Sequence, residues 1–347
     1  MENCFQRMNE IYEHLQDEES RALFEARLTY LIMHNEDKYM ETVGNLYQDW
    51  HSKELEEKIM AVDPKGIIVF GCGHDGQMTN QLINFWGYSV SYFCDTYKYG
   101  KIVDGKKVLS VTKVIEECRD YLIVIASSIY GKEMYIELVQ KGFPYTNILL
   151  PRYKYLYATR GKQYFDVFRP QPEEIYIDAG TFNGGTVLDF IQWANGRYKK
   201  IYAFEPIDDM CKIICQTIND NDIHNIEILN SAVWNRKETI CFTENGPGSH
   251  VSNLGKVEVQ GIDIDYIVKD EKVTFIKMDV EGSELKALKG ARNTIISNCP
   301  KLAICIYHKP LDVIEIASYI LELVPQYRLY IRHYASNMWE TVLYAEL

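Results

Sequence analysis

The chain has 347 residues, 47% of them hydrophobic, and carries a formal net charge of −12. A chain of this length exceeds the usual size of one hydrophobic core, so we expect at least two domains and an additional segment. Because a nucleic-acid-binding surface normally shows as a basic patch, the acidic balance argues against nucleic acid as a partner.

The cysteines and the apolar runs indicate a compartment. Nine cysteines are scattered without a repeated CxxC pattern, which is typical of the reducing cytosol. The first residues lack the basic start and the apolar run of a signal peptide. No stretch approaches the ~18 apolar residues of a membrane-spanning helix. The sequence therefore predicts a cytoplasmic protein without a membrane span.

Residues 1–63 form the first predicted segment. Apolar residues recur there at helical spacing, for example Ile11 and Leu15, then Leu23 and Ala26. Fifteen acidic side chains stand against six basic ones in this stretch. We expect a solvated cap of a few helices that carries no catalytic site.

Residues 64–150 are predicted to be a small α/β domain. An apolar strand is followed by the turn Gly71-x-Gly73-x-x-Gly76 and a helix, and Asp95 ends the next strand. In form this is the fingerprint of a dinucleotide-binding fold. The segment also resembles the N-terminal nucleotide-binding domain of bacterial sugar acyltransferases. Two interpretations stay open: a nucleotide site, or a degenerate fold used for packing or dimerisation.

Residues 151–172 are interpreted as a linker and residues 173–347 as a second α/β domain. Helices are predicted between most of its strands, which indicates a largely parallel sheet. The predicted strands are 174–179, 201–204, 226–229, 273–279, 301–307, 327–333 and 339–345. Because only a short link joins the last two, we expect an antiparallel hairpin and one antiparallel strand at the end of the sheet.

An insertion is predicted before the fourth core strand, at residues 238–260, with extra strands and a loop. Its polar stretch 244–253 contains Gly246 and Gly248 as candidate hinges. It is interpreted either as a lid over the site or as a plain hairpin loop.

Two acids stand at the end of the predicted strand 273–279 and directly after it. Asp279 and Glu281 precede Gly282 and an amphipathic helix. In an open α/β sheet, ligands bind beyond the carboxyl ends of the strands. Both carboxylates are therefore expected at the place where chemistry occurs.

A glycine-rich turn follows the first strand of the same domain. Asp178 ends that strand, and Gly180, Gly184 and Gly185 let the backbone approach a ligand without a Cβ in the way. The N-terminus of the next helix then presents free N–H groups to an anion. The alternative is a tight turn with a purely structural role.

Glu205 ends the second strand of this domain, 27 residues after Asp178. An acid at this place accepts hydrogen bonds from both hydroxyls of a ribose, which makes Glu205 a candidate for binding a nucleoside. Pro206 suits the first turn of the following helix. The alternative is that Glu205 caps this helix.

Four segments carry a resemblance to a known family, namely 178–184, 203–206, 230–233 and 278–291. They resemble the FkbM-type methyltransferases, which are S-adenosylmethionine-dependent O-methyltransferases of the doubly wound type. The resemblance covers about residues 165–347. One departure is the pair Thr181-Phe182, where the family commonly has alanine and another small or polar residue. The expected architecture is therefore α/β, with two doubly wound Rossmann-like domains, the second a class I methyltransferase fold with an antiparallel last strand.

The resemblance implies roles for individual residues. Asp178 and Gly180 would border the methionine end of the cofactor, Glu205 would hold its ribose, and Ser231 with Ala232 would lie against the adenine. The whole implied cofactor-binding set is Asp178, Gly180, Thr181, Asn183, Gly184, Glu205, Pro206, Ser231 and Ala232.

Transfer of a methyl group to a hydroxyl requires a general base that removes the hydroxyl proton. Asp279, Glu281 and His308 are the predicted catalytic residues, and His333 is a weaker candidate because it precedes a turn. Alternatively, His308 is a hydrogen-bonded core histidine, and Glu281 serves the first turn of its helix. The three predicted catalytic residues also match the ligand types of Mg²⁺ or Mn²⁺. Nothing in their spacing demands a metal, so no metal ligands are assigned and a divalent metal stays open as a cofactor that the sequence does not require.

These patterns together predict a cytoplasmic S-adenosylmethionine-dependent O-methyltransferase that acts on a sugar or glycan precursor, nucleotide-linked or free. Two other functions stay open. One is an NAD-dependent oxidoreductase that uses the turn at residues 71–76, and the other is a non-catalytic scaffold that binds nucleotides. The sequence also leaves open a homodimer.

Overall fold

The structure is a computed structural model that describes residues 2–47, 53–127, 130–151, 163–243, 250–251, 257–335 and 338–347. The chain divides into two compact units. The smaller unit is Val43–Arg160, and the larger unit combines Met1–Thr42 with Gly161–Leu347. The predicted N-terminal segment 1–63 is therefore divided between the two units. No helix among the described residues is both long and apolar enough to cross a membrane.

Helices occupy the beginning of the chain, as the apolar spacing predicted. They are α1 (Glu2–His14), α2 (Glu18–Met33), α3 (Glu36–Leu46) and α4 (Lys53–Val62). Asp17 caps α2 by accepting a hydrogen bond from the backbone N–H of Ser20 at 2.8 Å.

The smaller unit is a three-layer α/β fold. Its elements are β1 (Ile67–Phe70), α5 (His74–Phe85), β2 (Val90–Cys94), β3 (Ile102–Val103), β4 (Lys106–Leu109), α6 (Val111–Glu117), β5 (Leu122–Ile125), α7 (Gly131–Gln140) and β6 (Ile148–Leu149). The strand order is β3-β4-β2-β1-β5-β6, and every neighbouring pair except β3–β4 is parallel.

Alternate residues of β1 enter two separate cores. Ile67 and Val69 pack on one face of the sheet, and Ile68 and Phe70 pack on the other. A strand that is buried on both faces is typical of a parallel sheet covered by helices. The structure thus confirms the predicted doubly wound sheet of this region.

The larger unit contains most of the strands. Its elements are β7 (Glu174–Ala179), α8 (Gly185–Trp193), β8 (Tyr198–Phe204), α9 (Asp208–Asp220), β9 (Ile226–Leu229), β10 (Ala232–Val233), β11 (Glu238–Thr243), β12 (His250–Val251), β13 (Val257–Ile262), α10 (Ile264–Val268), β14 (Phe275–Met278), α11 (Glu284–Gly290), α12 (Arg292–Asn298), β15 (Lys301–Cys305), α13 (Asp312–Leu323), β16 (Arg328–His333) and β17 (Thr341–Glu346).

The central sheet has the order β16-β17-β15-β14-β7-β8-β9. Strand β17 is antiparallel to both of its neighbours, which confirms the predicted terminal hairpin. Its predicted place at the end of the sheet is wrong, because β17 lies between β15 and β16. The second strand of the hairpin, β17, therefore pairs with β15, and the first strand, β16, forms the edge of the sheet.

The predicted insertion forms a second, four-stranded sheet with the order β10-β13-β11-β12. The candidate lid at 244–253 lies outside the described residues except for 250–251. Of the predicted linker 151–172, residues 152–162 also lie outside them. The part that follows belongs to the core of the larger unit, because Tyr164, Phe165 and Phe168 are buried there.

The N-terminal helices cover the edge strand β16. Gln16 donates its backbone N–H to the carbonyl oxygen of Leu329 at 3.0 Å, and Ser20 Oγ accepts the N–H of Ile331 at 2.9 Å. The guanidinium of Arg332 binds the carboxylate of Asp17 at 2.6 Å. An uncovered edge strand invites pairing with other chains, and these contacts prevent it.

We expect Gly76→Ala to lower the free energy of unfolding by about 1–3 kcal/mol, the range for overpacking a core. A methyl group at Gly76 would lie 2.0 Å from the carbonyl oxygen of Gly71. Gly73→Ala is the matched control, because apart from its chain neighbours no described atom lies within 4 Å of its added methyl. Urea titration compares the variants, and equal stabilities would contradict this packing.

Candidate functional site

The residues predicted to act together lie at one edge of the central sheet. Asp178, Glu205 and Asp279 stand at the carboxyl ends of the parallel strands β7, β8 and β14. The backbone N–H groups of Gly180 and Thr181 both donate to the Phe204 carbonyl at 3.1 Å, so the turn after β7 rests on the end of β8. Ligands of open α/β sheets bind at this edge.

Gly180 is required by backbone packing. Its φ is +82°, and a Cβ would lie 1.9 Å from the carbonyl oxygen of Asp279. Only glycine permits both the left-handed conformation and this close approach. The glycine predicted to make room for a ligand thus brings the cofactor-type turn against the loop that carries Asp279.

Asp178 is fully buried and faces inward. Lys277 places its Nζ 3.0 Å from Oδ1, and the hydroxyl of Thr186 donates to Oδ2. Lys277 also donates to the carbonyl oxygen of Gly180 at 2.7 Å. Burial favours a lower pKa for Lys277, but the carboxylates of Asp178 and Asp279 outweigh it and raise the pKa. Lys277 therefore stays charged and ties the turn to β14.

Neither Lys277 nor Thr186 was predicted as a site residue. The available signal was a lysine inside the otherwise apolar strand Phe275–Met278, because a lysine is almost never fully buried unless it is paired.

Two polar residues of the turn bond within the turn itself. Thr181 is buried, and its hydroxyl donates to the carbonyl oxygen of Asp178 at 3.0 Å. Asn183 is exposed, and its side-chain oxygen accepts the N–H of Gly185 at 3.0 Å. Gly184 caps α8 in the left-handed conformation, with a φ of +87°. The cofactor contacts predicted for these residues stay predictions.

Glu205 is 4% exposed and holds two loops together. Its Oε2 accepts the N–H of Phe182 at 2.9 Å, and its Oε1 accepts the N–H of Ile207 at 3.0 Å. Burial raises the pKa of Glu205, and these two bonds oppose the rise. Each carboxylate oxygen accepts two bonds, so one acceptor position on each remains for a hydroxyl. Pro206 precedes the N-cap residue of α9 and does not lie in its first turn.

Ser231 and Ala232 follow β9 at the same edge of the sheet. The N–H of Ser231 donates to the carbonyl oxygen of Leu229 at 2.8 Å, and Ala232 is buried at the start of β10. Ser231 and Ala232 therefore lie next to Glu205 in the order of the strand ends along this edge of the sheet. Their contact with an adenine stays a prediction.

Asp279 lies among hydrogen-bond donors. Tyr164 donates to Oδ2 at 2.9 Å, and Tyr307 donates to Oδ1 at 3.1 Å. Burial favours a higher pKa for Asp279, but Lys277 and His308 outweigh it and lower the pKa. Asp279 is therefore an ionised carboxylate that is well supplied with donors and is a weak base.

His308 lies between carboxylates. Its Nδ1 is 3.0 Å from Glu284 Oε1, and its Nε2 is 3.3 Å from Glu281 Oε2 and 3.6 Å from Asp279 Oδ1. Burial favours a lower pKa, but these acids raise the pKa of His308 to about 11. The ring is an imidazolium at neutral pH and has no free lone pair. This pKa disfavours the base role predicted for His308 and favours a source of positive charge, and its catalytic role stays a prediction.

Glu284 serves the first turn of helix α11, a role that the sequence analysis considered for Glu281. Helix α11 begins at Glu284, whose buried Oε1 accepts the N–H groups of Val280 at 3.0 Å and Gly282 at 3.3 Å. Glu281 lies before the helix with a φ of +53°, and its side chain is partly exposed. Glu281 therefore points its carboxylate to His308 and solvent and does not serve the helix.

His333, the weaker candidate for the base, lies in the interior of the larger unit. Its Nδ1 is 2.8 Å from Thr341 Oγ1 and 3.2 Å from the hydroxyl of Tyr39, and the residue is fully buried. It fastens the N-terminal helices to the terminal hairpin.

Among the described residues, Asp279, Glu284 and His308 offer metal-ligand atoms within 4.8 Å of one another. This set differs from the predicted one, since Glu284 replaces Glu281. The acids around His308 raise its pKa, whereas a divalent metal requires a neutral imidazole. Glu284 Oε1 accepts two backbone N–H groups, and its buried Oε2 has no hydrogen-bond partner among the described residues. The charge favoured on the ring therefore suits an ion-pair cluster better than a divalent metal.

The smaller unit has a cavity of about 760 Å³ at the carboxyl ends of β1, β2 and β5. Asp95 stands at its wall, and all of its acceptor positions are in use. Its Oδ1 accepts the N–H groups of Tyr97 and Lys98 at 2.9 Å, and its Oδ2 accepts the N–H and the thiol of Cys72 at 3.2 Å. In the dinucleotide-binding fingerprint this acid binds a ribose hydroxyl, which needs a free acceptor position. The geometry therefore argues against binding of NAD through Asp95.

We expect Lys277→Met to cost about 3–5 kcal/mol of folding free energy, because it leaves the Asp178 carboxylate buried and unpaired. The matched control is Lys200→Met. Lys200 pairs with Glu227 at 3.0 Å, with side chains that are 31% and 49% exposed, and such surface pairs contribute about 0–1 kcal/mol. Urea unfolding measures both variants, and equal losses would show that the buried pair has no special weight.

The His308 imidazole should remain protonated at pH 8 and should lose its proton only near pH 11. Because the folded-state pKa is raised, the stabilisation is complete below the pKa of the unfolded state, about 6.5. It is lost as the pH rises through the folded-state pKa. Two-dimensional NMR of the ¹⁵N-labelled imidazoles, with His308→Gln for assignment, follows the ring. A neutral ring at pH 8 would contradict the ion-pair cluster.

Comparison with known proteins extends these observations. Residues 178–336 match the family model described as the Methyltransferase FkbM domain. This segment contains every predicted cofactor-binding residue and the cluster around His308. No curated protein matches the sequence.

Among solved structures, the chain is similar to the methyltransferase FkbM from Methylobacillus flagellatus KT, with 20% identity and a TM-score of 0.52 over 84% of this chain and 93% of that one. At this identity the similarity shows the fold. An rRNA methylase from Streptococcus thermophilus matches with 19% identity and a TM-score of 0.35 over 51% of this chain and 89% of that one. SMU.1697c, a putative methyltransferase from Streptococcus mutans in complex with SAH, matches with 14% identity and a TM-score of 0.34 over 52% and 92% of the two chains.

Proposed function

For a chain that is an S-adenosylmethionine-dependent methyltransferase with an FkbM domain, we propose that the acceptor is a hydroxyl group of a sugar or glycan precursor. The observation that carries this proposal is the cluster around Asp279. Two tyrosine hydroxyls, a carboxylate and an imidazolium lie beside the cofactor-type turn. Such a set of donors and acceptors suits a ligand with several hydroxyl groups.

The cofactor fits the residues at the other end of this edge. Buried Glu205 keeps one acceptor position on each oxygen for the two ribose hydroxyls. When bound, S-adenosylmethionine supplies a methyl group that is attached to a positively charged sulfur, and this sulfur is the leaving group of the transfer. The protein then has to position the acceptor and take its proton.

Asp279 is assigned to orient the acceptor, because its ionised carboxylate accepts a hydroxyl hydrogen bond beside Tyr164 and Tyr307. His308 keeps this carboxylate ionised. Glu281, which is partly exposed next to them, is assigned to bind a second hydroxyl of the acceptor. We place the reaction in the cytoplasm, since the eight cysteines from Cys72 to Cys305 are all unpaired and suit a reducing compartment.

The experiment is methyl transfer from labelled S-adenosylmethionine to a panel of sugars, sugar nucleotides and glycan oligomers, with mass spectrometry of the products. Addition of one methyl group to a hydroxyl supports the proposal. Transfer only to an amine, a thiol or RNA would overturn it. Activity should survive a chelator, and loss of activity that Mg²⁺ restores would reinstate a metal in the site. Binding of S-adenosylhomocysteine without transfer to any acceptor would favour the scaffold, and binding of NAD alone would favour the oxidoreductase.

Glu205→Gln should weaken binding of S-adenosylhomocysteine about tenfold or more, because a charge-assisted hydrogen bond contributes about 1.5–3 kcal/mol. Glu227→Gln is the control, since Glu227 lies exposed on the adjacent strand β9. Isothermal titration calorimetry gives both affinities. If Glu205→Gln binds as tightly as the wild type, Glu205 does not hold the ribose.

A further inference from the structure

We propose that Glu340 is the general base that takes the proton from the acceptor hydroxyl. This inference rests on the proposed function and adds a residue that none of the sequence motifs contains. Glu340 stands between the strands of the terminal hairpin, directly before β17.

The topology of the sheet brings Glu340 to the site. Because β17 runs antiparallel to β15, the start of β17 lies at the same edge as the end of β15. Cys305 pairs with Val342, and the N–H of Ile306 donates to the carbonyl oxygen of Thr341 at 3.0 Å. Continuing this register by one residue places Glu340 beside Tyr307, which itself binds Asp279.

The backbone at Glu340 is held in an unusual conformation. Its φ is +59°, a left-handed value that costs free energy in a residue other than glycine. The surrounding contacts impose it: the Glu340 carbonyl accepts the N–H of Tyr334 at 3.0 Å, and Arg27 donates to the Met338 carbonyl at 2.6 Å. Arg27 is buried and stacks 4.5 Å over the ring of Tyr39. The N-terminal helices therefore fix the turn that presents Glu340.

The half-buried side chain of Glu340 is an acceptor in the same charged cluster. Gln163 donates to its Oε2 at 2.6 Å. The charged groups that face it are Asp279 and Glu281 from the loop after β14, and His308 from the loop after β15. Burial and repulsion by Asp279 raise the pKa of Glu340 to about 7, against the opposing effects of Gln163 and His308.

The other groups of the cluster are unsuited to taking a proton. The charges of Lys277 and His308 lower the pKa of Asp279, and the acids around His308 raise the pKa of its ring to about 11. A general base works best when its pKa lies near the working pH. Glu340 meets this condition, and its carboxylate binds Gln163, whose chain neighbour Tyr164 binds Asp279.

The proposed step balances. An oxygen lone pair of the acceptor forms the new O–CH₃ bond while the S–CH₃ bond of the sulfonium breaks. The electron pair of the broken bond stays on the sulfur. The O–H proton passes to the Glu340 carboxylate, so one positive and one negative charge disappear together. The carboxylic acid then releases its proton to water.

The test compares the pH dependence of kcat/KM for the wild type, Glu340→Gln and Glu340→Asp. The wild type should lose activity about tenfold per pH unit below pH 7. Glu340→Gln should lose about 10²–10⁴-fold in kcat/KM. Its pH profile should also lack the ascending limb, which is the rise of kcat/KM with pH. Glu340→Asp should keep the limb at a reduced rate. The control is Glu346→Gln at the far end of β17, and unchanged binding of S-adenosylhomocysteine verifies that each variant is folded.

A second variant tests the electrostatics. Gln163→Leu removes a bond that stabilises the carboxylate, so the ascending limb should move to higher pH. A residue that only supports the fold would change the rate without moving the limb. An unshifted limb in Gln163→Leu, or a Glu340→Gln variant with the rate and limb of the wild type, overturns the proposal.

Failure of the proposed function gives a different result. If the accepted group proves to be an amine, the same pH comparison on that substrate still decides the role of Glu340. If no acceptor is found, infrared difference spectra decide it without turnover. A carboxylic-acid carbonyl band that appears as the pH falls through about 7 and is absent in Glu340→Gln supports the assignment. Absence of this band in the wild type refutes it.

Discussion

The site depends on the buried ion pair between Asp178 and Lys277. The two residues are direct neighbours in the register of β7 and β14, and each is at most 1% exposed. Lys277 also binds the carbonyl oxygen of Gly180, so one ammonium group joins the cofactor-type turn to the strand that carries Asp279. A buried pair gains little net free energy because both ions lose their hydration, but a single unpaired ion would cost much more. The pair therefore enforces the alignment of the two strands more than it stabilises the fold.

Charge distribution at the sheet edge separates the roles of groups that look alike in the sequence. Two cations, Lys277 and His308, lie among the carboxylates of Asp178, Asp279 and Glu284. Carboxylates next to the cations stay ionised and bind hydrogen-bond donors. Glu340 is half-buried and is repelled by Asp279, so its pKa is raised and it holds its proton more tightly. The same side-chain chemistry thus yields an orienting group in one place and a candidate base in another.

The N-terminal helices belong to this arrangement although they carry no catalytic motif. They cover the edge strand through Gln16 and Ser20, and they anchor the terminal hairpin through Arg27 and Tyr39. A hairpin at the edge of a sheet would otherwise be among the least stable parts of the domain. The acidic first segment therefore supports the site from outside it.

Local patterns in the sequence were sufficient for the two α/β sheets, the terminal hairpin and the position of acids at strand ends. Each of these follows from the alternation of apolar runs, turn residues and short links over a few residues. Tertiary structure decided the rest: the place of β17 inside the sheet, the protonation of His308, the inward direction of Asp178 and the saturation of Asp95. Tyr164 and Asp279, which bind each other, are 115 residues apart, and no local pattern connects them. The protonation state of a group depends on the charges and the solvent around it, and only the folded chain brings those together.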